Sequence, residues 1–296
     1  MSSGDLKLRA TSGVAALGVV LPILVLGDFW WVVALAGLVA AWGLHEIVSM
    51  GMPDDRARSF PLLLLIGAPF FMAAAWSGAP EGVWTPSILG RMNVDSTLVF
   101  VLAGMVISAT FFVLTARTTE GLADRWAHFS LGPAYVAAPM GLLPALSVMD
   151  GGKAWLWVPL LVAWLGDMGG YFAGRAFGKH KLFPLISPKK TWEGLAGGLF
   201  LSVGGLLAFK YLIFDRVIES SSPMVILDCV VLGIFGGLAG VVGDLTASML
   251  KRTHGVKDSG RFLPGHGGVL DRIDALLFVV PVVWLWLVVI RPEVIG

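Results

Sequence analysis

The chain has 296 residues, 56% of them hydrophobic and only 14% charged, with a formal net charge of +1, and its mean hydropathy is +0.82. A net charge this small removes the bulk attraction on which a nucleic-acid partner depends, and sparse charge beside 38 Gly and 12 Trp excludes an ordinary soluble domain. The single cysteine, Cys229, excludes an internal disulfide and reads as a small buried hydrophobe inside the apolar run MVILDCVVLGIFGG.

A hydrocarbon core about 30 Å thick calls for roughly 20 apolar residues per helix. In chain order, nine runs come near that length: 12–27, 29–49, 60–76, 97–116, 129–149, 154–177, 195–214, 224–249 and 269–290. Only a tight turn at Asp28 divides the first two. Lys7 and Arg9 give the first run the look of a cleaved signal peptide, but a second run follows at once and no clear small-residue cleavage site precedes it, so the first is read as a retained span.

Cytoplasmic loops carry the excess of Lys and Arg. With the N-terminus inside, fifteen of the 21 cations fall on the cytoplasmic side and five, Arg91, Lys153, Lys210, Arg216 and Arg291, fall outside. The expectation is an all-α polytopic integral membrane protein of about nine transmembrane helices, N-terminus cytoplasmic and C-terminus on the opposite side. Residues 1–150 supply N-terminal transmembrane helices and 151–296 a C-terminal region with a cytoplasm-facing site, in one continuous membrane domain. The connecting loops are short and no repeat period is evident, so any chemistry sits at or within the membrane. Composition alone leaves a transporter and a membrane enzyme both open.

Two cytoplasmic segments concentrate the polar residues: WLGDMGGYFAGRAFGKHKLFPLISPKKTWEGLAGG, 164–198, and GDLTASMLKRTHGVKDSGRFLPGHGGVLDRID, 243–274. Asp244, Ser248 and Lys251 are spaced by four and three residues, on one face of a helix end. Asp271 and Asp274 are three apart on the first turns of the following helix, just after a Pro-Gly-His-Gly-Gly loop. Gly265, Gly267 and Gly268 remove side chains before a helix start, which lets backbone N–H groups and the helix dipole approach an anion. Lys and Arg add charge-assisted donors, and carboxylates among so many cations make sense where a divalent metal joins them to phosphate oxygens. That combination suggests phosphoryl-type transfer.

Each feature has a plainer reading. Arg56, Arg58, Arg117 and Arg125 are the loop cations that hold topology and meet anionic lipid. A Gly-rich loop can be only a turn, Asp271 and Asp274 can be helix caps or dipole partners, and His266 can be an ordinary loop histidine. Asp167 lies inside a span, where a carboxyl is costly and faces a polar site or a structural hydrogen bond. Asp228, near the outer end of its span, is read as structural.

The run S-x-x-K-R-x-x-x-x-K-D-x-x-x-x-x-P-G-H-G-G-x-x-D-R-x-D, from Ser248 to Asp274, resembles the signature of the phosphatidate cytidylyltransferases, also called CDP-diglyceride synthases. S-P-K-K-T-W-E-G, Ser187 to Gly194, resembles a second motif of that family, and D-x-x-x-Y-x-x-G-R-x-F-G-K, Asp167 to Lys179, a third, with Gly170 where the family often has Ala. In the N-terminal half the likeness extends to a hydrophobic layout and to Glu46, at the cytoplasmic end of the second run.

The resemblance implies a multi-pass enzyme of a bacterial inner or plasma membrane, its active site facing the cytoplasm. It transfers the cytidylyl group of CTP to phosphatidic acid, giving CDP-diacylglycerol and pyrophosphate in phospholipid biosynthesis. It implies Mg2+, with a second metal or a monovalent cation left open, no nucleic-acid partner, and a tendency to homodimers. Carried over by position, Asp244 and Asp271 hold the metal, with Asp274 and Asp258 around them. Lys251 and Lys257, with Ser187, Lys189, Lys190, Ser248, Arg252, Arg272, His266, Gly267, Gly268 and Asp167, meet the substrates.

Residue chemistry agrees with that reaction. A phosphomonoester with a second pKa of about 6 is largely ionised at neutral pH and needs no strong base, while roughly six negative charges on the two substrates demand a metal and several cations. The CDP-alcohol phosphatidyltransferases also place Asp clusters on membrane helices, but their D-G-x-x-A-R is absent here. A transporter would put its ionisable groups near the midplane. A CTP-dependent lipid kinase differs in one observable, since only a cytidylyltransferase places the base in lipid.

Overall fold

The computed structural model describes residues 18, 20–51, 56–76, 106–114, 121–218, 220–260 and 267–294. These form helices and one short hairpin, divided into two compact units, Met1–Ala145 with Ser259–Val269 and Leu146–Asp258 with Leu270–Gly296.

In the first unit α1 spans Phe29–Gly51 and α2 Arg56–Trp76. Most of α3, Leu122–Ser147, also belongs to it. Short helical stretches at 20–26 and 106–114 accompany them. Within α3 the register opens into a π turn over Pro133–Ala137, where the Ala138 N–H donates to the Pro133 carbonyl. Proline has no N–H to give the preceding turn, so a local five-residue step is a natural response. Small residues let the helices approach: a Cβ on Gly141 would lie 2.3 Å from the Phe71 carbonyl oxygen, and one on Gly67 would lie 2.8 Å from Leu44 Cδ1. Around those contacts Leu44, Ile47, Leu63, Ile66, Phe129 and Met140 are buried.

In the second unit α4 spans Gly152–Phe177, α5 Trp192–Val217 and α6 Ile226–Thr253. Helix α7 covers Leu270–Ile273 and α8 Leu276–Ile290. Between α4 and α5 lies an antiparallel hairpin of β1, Lys181–Phe183, and β2, Ser187–Thr191, with Lys181 opposite Thr191 and Phe183 opposite Ser187. The sequence reading expected only helices and short loops and did not foresee these strands, which at three and five residues are too short to show as hydrophobic alternation. Thr191 ends the hairpin and starts α5, its hydroxyl accepting the Gly194 N–H at 3.1 Å.

Glycines set the spacing of α4 and α5. A Cβ on Gly169 would lie 2.5 Å from the Gly197 carbonyl oxygen, and one on Gly198 would lie 2.7 Å from that of Gly166. The two backbones therefore touch, which brings Asp167 on α4 beside the hairpin that precedes α5. Likewise a Cβ on Gly243 would lie 2.3 Å from the Asp274 carbonyl oxygen, so α6 meets the chain where it enters α8.

Among the described residues five helices, α1, α3, α4, α5 and α6, are long and apolar enough to cross a membrane, and α2 and α8 contain shorter apolar helices, Ser59–Ala75 and Leu276–Ile290. Apart from the hairpin, the described residues form a helical architecture of the kind that suits a membrane. The runs at 12–27 and 97–116 lie partly outside the described residues. Several helices extend past their apolar runs: α6 continues to Thr253 through Lys251 and Arg252. The ninth run is interrupted, because the Asp274 carboxylate accepts the Ala275 N–H at 2.8 Å and diverts it from the helical ladder.

At the end of the second unit remote from the hairpin, Asp228 is fully buried. It accepts the Val225 N–H and the Trp286 indole N–H, each at 2.8 Å, and is ion-paired to Arg291. Its expected structural role is thereby accounted for by named partners. Asp150, in the turn before α4, accepts the hydroxyls of Ser220 and Ser221 at 3.0 and 2.6 Å and the Ser222 N–H at 2.8 Å. The Ser221 hydroxyl holds its carboxyl below the ordinary range. Cys229 is buried, with its sulfur 3.6 Å from the Leu206 carbonyl oxygen, in the small-hydrophobe role expected of it.

Candidate active site

Three segments of the second unit converge on a cavity of about 300 Å3, lined by Asp167 and Tyr171 from α4, Lys189, Lys190 and Thr191 from β2, and Asp244 from α6. Glycines 166, 170, 194, 198 and 237 form much of the rest of the wall. The stripe that lets α4 and α5 touch thus also leaves space next to the charged groups.

Charge in this region is arranged as lysine-aspartate pairs. Lys190 Nζ lies 2.7 Å from Asp244 Oδ2, and the other Asp244 oxygen accepts the Ser248 hydroxyl at 3.3 Å, one turn along α6. On the next turn of the same helix Lys251 is ion-paired to Asp271 of α7, with side chains only 11% and 9% exposed. The predicted face Asp244, Ser248, Lys251 therefore exists, and its two ends reach different partners.

Further carboxylates stand close by. The negative charge of Asp244 acts on both Asp167 and Asp274; Lys190 and Arg272 counter it at Asp167, and Lys251 counters it at Asp274. Asp167, expected to meet substrate, thus also belongs electrostatically with the carboxylates. Among the described residues no three His, Cys, Asp or Glu side chains converge closely enough to hold a metal by themselves. A hard divalent ion seldom needs that, since Mg2+ keeps several waters and takes one or two carboxylates plus phosphate oxygens. Mutually repelling carboxylate oxygens beside phosphate-sized space fit such an ion.

The remaining expected residues are placed as follows. Ser187 is half-buried in β2 and Lys189 is exposed beside Lys190. Arg252 is exposed, its guanidinium donating to the Val256 carbonyl at 3.3 Å. Lys257 and Asp258 are exposed beyond the end of α6, and Arg272 is exposed on α7. Gly267 adopts φ +83°, a conformation that favours glycine. Gly267 and Gly268 belong to the first unit with the rest of Ser259–Val269. His266 and Gly265 lie outside the described residues.

Tyr171, which lines the cavity, and Glu193, at the base of the hairpin, were not singled out from sequence. Tyr171 is four residues after Asp167, so the two share a helix face, and its hydroxyl accepts from Arg175 Nη1 at 3.0 Å. Glu193 accepts the N–H groups of Lys179 and His180 at 3.1 and 3.3 Å and bonds His180 Nδ1 at 2.6 Å. It thereby closes the base of the hairpin that presents Lys189 and Lys190. Its signal was its place two residues after a helix-capping threonine, where an acidic side chain is favoured.

With this geometry in view, the comparisons with known proteins are specific. A model of the cytidylyltransferase family matches residues 7–290. The chain is 34% identical over 283 residues to the phosphatidate cytidylyltransferase of Staphylococcus haemolyticus, covering 96% of this chain and 99% of the relative. Proteins of the same name from Staphylococcus aureus and Staphylococcus saprophyticus are 33% and 32% identical over 285 residues, with the same shares covered. The match runs through both units, including the N-terminal half where motifs are sparse, and the chain belongs to the cytidylyltransferase family.

Proposed function

We propose that this chain transfers the cytidylyl group of CTP to phosphatidic acid, releasing pyrophosphate and leaving CDP-diacylglycerol in the membrane. The observation that carries the reading is the Lys190–Asp244 pair lining one cavity with Asp167 and Lys189, with a second pair, Lys251–Asp271, farther along the same face of α6, in the part of the chain that bears the family motifs. The names of the relatives point to the same pair of substrates.

In this reading a phosphate oxygen of phosphatidic acid attacks the α phosphorus of CTP. The bond from that phosphorus to the bridging oxygen breaks, and its electron pair leaves with pyrophosphate. No general base is required, because the nucleophile is already ionised at neutral pH. The work left to the protein is to bring two polyanions together and to balance the charge that moves to the leaving group.

Lys189 and Lys190 on β2 and Lys251 on α6, with Arg252, Lys257 and Arg272 around them, are assigned to phosphate oxygens. Ser187, Ser248, His266 and the backbone at Gly267 and Gly268 serve as hydrogen-bonding partners. Lys190 and Lys251 exchange their carboxylate partners for phosphate when substrate enters, which frees oxygens of Asp244 and Asp271. Those two carboxylates, with Asp274 and Asp258 beyond them and Asp167 nearby, are the groups that would hold Mg2+. The ion would supply Lewis-acid neutralisation of the phosphates, and a second metal or a monovalent cation is compatible with the same oxygens.

The site is assigned to the cytoplasmic face of a nine-span, N-in and C-out protein in a bacterial inner or plasma membrane. The fifteen-to-five distribution of cations supports that orientation. The deciding experiment incubates purified protein with phosphatidic acid, Mg2+ and CTP labelled in the base, followed by thin-layer separation of lipid. Base label in the lipid fraction is the expected result. Label transferred only from the γ phosphate would instead make the protein a lipid kinase.

A further inference from the structure

Glu46 is an acidic residue near the C-terminal end of the apolar helix α1, and it is only 2% exposed. A carboxylate taken out of water is costly unless donors surround it, so its partners show what the residue is for. The Ser259 hydroxyl donates to Glu46 Oε2 at 2.7 Å, and the Val269 backbone N–H donates to Glu46 Oε1 at 2.8 Å. The two donors come from the two ends of the segment Ser259–Val269, ten positions apart in the chain, and each takes a different oxygen of one carboxylate.

The glycines at those ends are matched to the same group. A Cβ on Gly260 would lie 2.4 Å from Glu46 Oε1, and one on Gly268 would lie 2.4 Å from Glu46 Oε2 and 2.1 Å from the Ser259 hydroxyl oxygen. Neither position accepts a side chain while the carboxylate is in place. Gly268 belongs to the glycine-rich motif, whose glycines the sequence reading explained by phosphate approach. The structure supplies a separate reason for Gly268, which is room for a glutamate from α1.

Covalent geometry gives this clamp its importance. Ser259 directly follows Asp258, and Val269 stands two residues before Asp271. Fixing the two ends therefore fixes where the chain leaves the phosphate-binding lysines after α6 and where it re-enters helix ahead of a candidate metal-binding carboxylate. A displacement of about 1 Å in such a support can cost a reaction about 100-fold.

We infer that Glu46 is a positioning residue: one buried carboxylate that bolts both ends of the Ser259–Val269 segment to α1 and so holds the register of the motif on either side of it. The inference rests on the proposed cytidylyl transfer for its consequence, but not for the clamp itself.

The test uses the full chain in detergent and reads hydrogen-deuterium exchange together with turnover. Glu46→Gln offers a single acceptor oxygen where two are used. Exchange over 259–270 is expected to rise at least about tenfold, as for loss of one hydrogen bond to a charged group, while turnover falls about 100-fold. Gly268→Ala should do the same, and the double variant should be scarcely worse than either single, because both act on one contact. Should Glu46→Gln fail to fold, Ser259→Ala removes one donor alone and is expected to lower turnover about tenfold. Unchanged exchange over 259–270 in Glu46→Gln overturns the clamp. Faster exchange with wild-type turnover, or losses that multiply in the double variant, overturns the positioning role. Exchange needs no substrate, so a wild type that puts no cytidine into lipid refutes the functional reading and leaves the clamp to be judged on the exchange arm.

Discussion

Lys190 and Asp244 meet at 2.7 Å, joining a strand that follows one membrane helix to the middle of another. Neither belongs to the other's local structure, so the contact depends on the glycine-mediated approach of α4 and α5 and on α6 lying against them. Both side chains line the cavity, and both remain partly exposed. Partly exposed ion pairs contribute little to stability, which leaves chemistry as the better account of this one.

A charge swap distinguishes the two accounts. Lys190→Asp combined with Asp244→Lys keeps the pair and should keep the melting temperature within a few degrees of wild type. Turnover should nevertheless stay at least about 100-fold down, the scale of one lost transition-state electrostatic contact. Lys190→Ala alone should raise an apparent substrate constant or lower turnover by a similar factor. Wild-type kinetics for both substrates in Lys190→Ala would remove this lysine from the site.

Gly169 tests the seam beneath the cavity. Its Cβ would lie 2.5 Å from the Gly197 carbonyl oxygen, and backbone cannot rotate aside as a side chain can. Gly169→Ala is therefore expected to push α4 and α5 apart, at a cost of about 1–3 kcal/mol for overpacking, and to lower both thermal stability in detergent and activity. Gly204, whose Cβ would meet nothing within 4 Å, is the control position, where Ala should be neutral.

Orientation is best read at Lys257, which is exposed beyond α6, whereas nearby Ser259 is buried on Glu46. The native Cys229 is buried and contributes little background. A cysteine at position 257 should react with an impermeant thiol reagent in inside-out vesicles and not in sealed cells. Labelling from outside would reverse the proposed topology.

The helical, membrane-suited character of the chain is legible in the sequence, because apolar runs of bilayer length report directly on burial. The face Asp244, Ser248, Lys251 follows from helical spacing alone, and the structure contains it. The partners on that face were not legible. Nothing in a list of lysines and aspartates says that Lys190 reaches Asp244 while Lys251 reaches Asp271, since each choice depends on helix separation. Backbone contact at Gly169 and Gly198 sets the approach of α4 and α5, and contact at Gly243 that of α6 to the chain at Asp274, while glycine in a sequence equally denotes a turn, a phosphate loop or a close crossing. The hairpin at 181–191 was hidden because strands of three and five residues, mostly exposed, are too short to impose an alternating pattern. Glu46 was noted only as part of the family likeness, because its partner segment lies more than 200 residues away in the chain.

The most demanding prediction concerns Asp244 and Asp271, proposed to share one metal. Replacing either with Asn keeps its shape but removes a negative ligand, and the loss should be at least about 100-fold to 1000-fold, or roughly 3 to 4 kcal/mol. The double variant should be scarcely worse than either single, because groups that act as a unit are non-additive. The structure adds a complication at Asp271. Its partner Lys251 is nearly buried, and stranding a buried charge can cost about 3–5 kcal/mol of stability, so lost activity in Asp271→Asn alone has two explanations. Lys251→Met in the Asp271→Asn background removes the stranded charge and separates them. Folding should recover in that pair of substitutions while activity does not, as followed by monodispersity, thermal unfolding and initial rate across a magnesium titration. If Asp271→Asn is well folded and keeps more than about a tenth of the activity at low magnesium, far short of the expected loss, Asp271 is no metal ligand. Its carboxylate then serves to hold Lys251, and Asp244 must find its second carboxylate in Asp167 or Asp274, the two whose charges it already opposes.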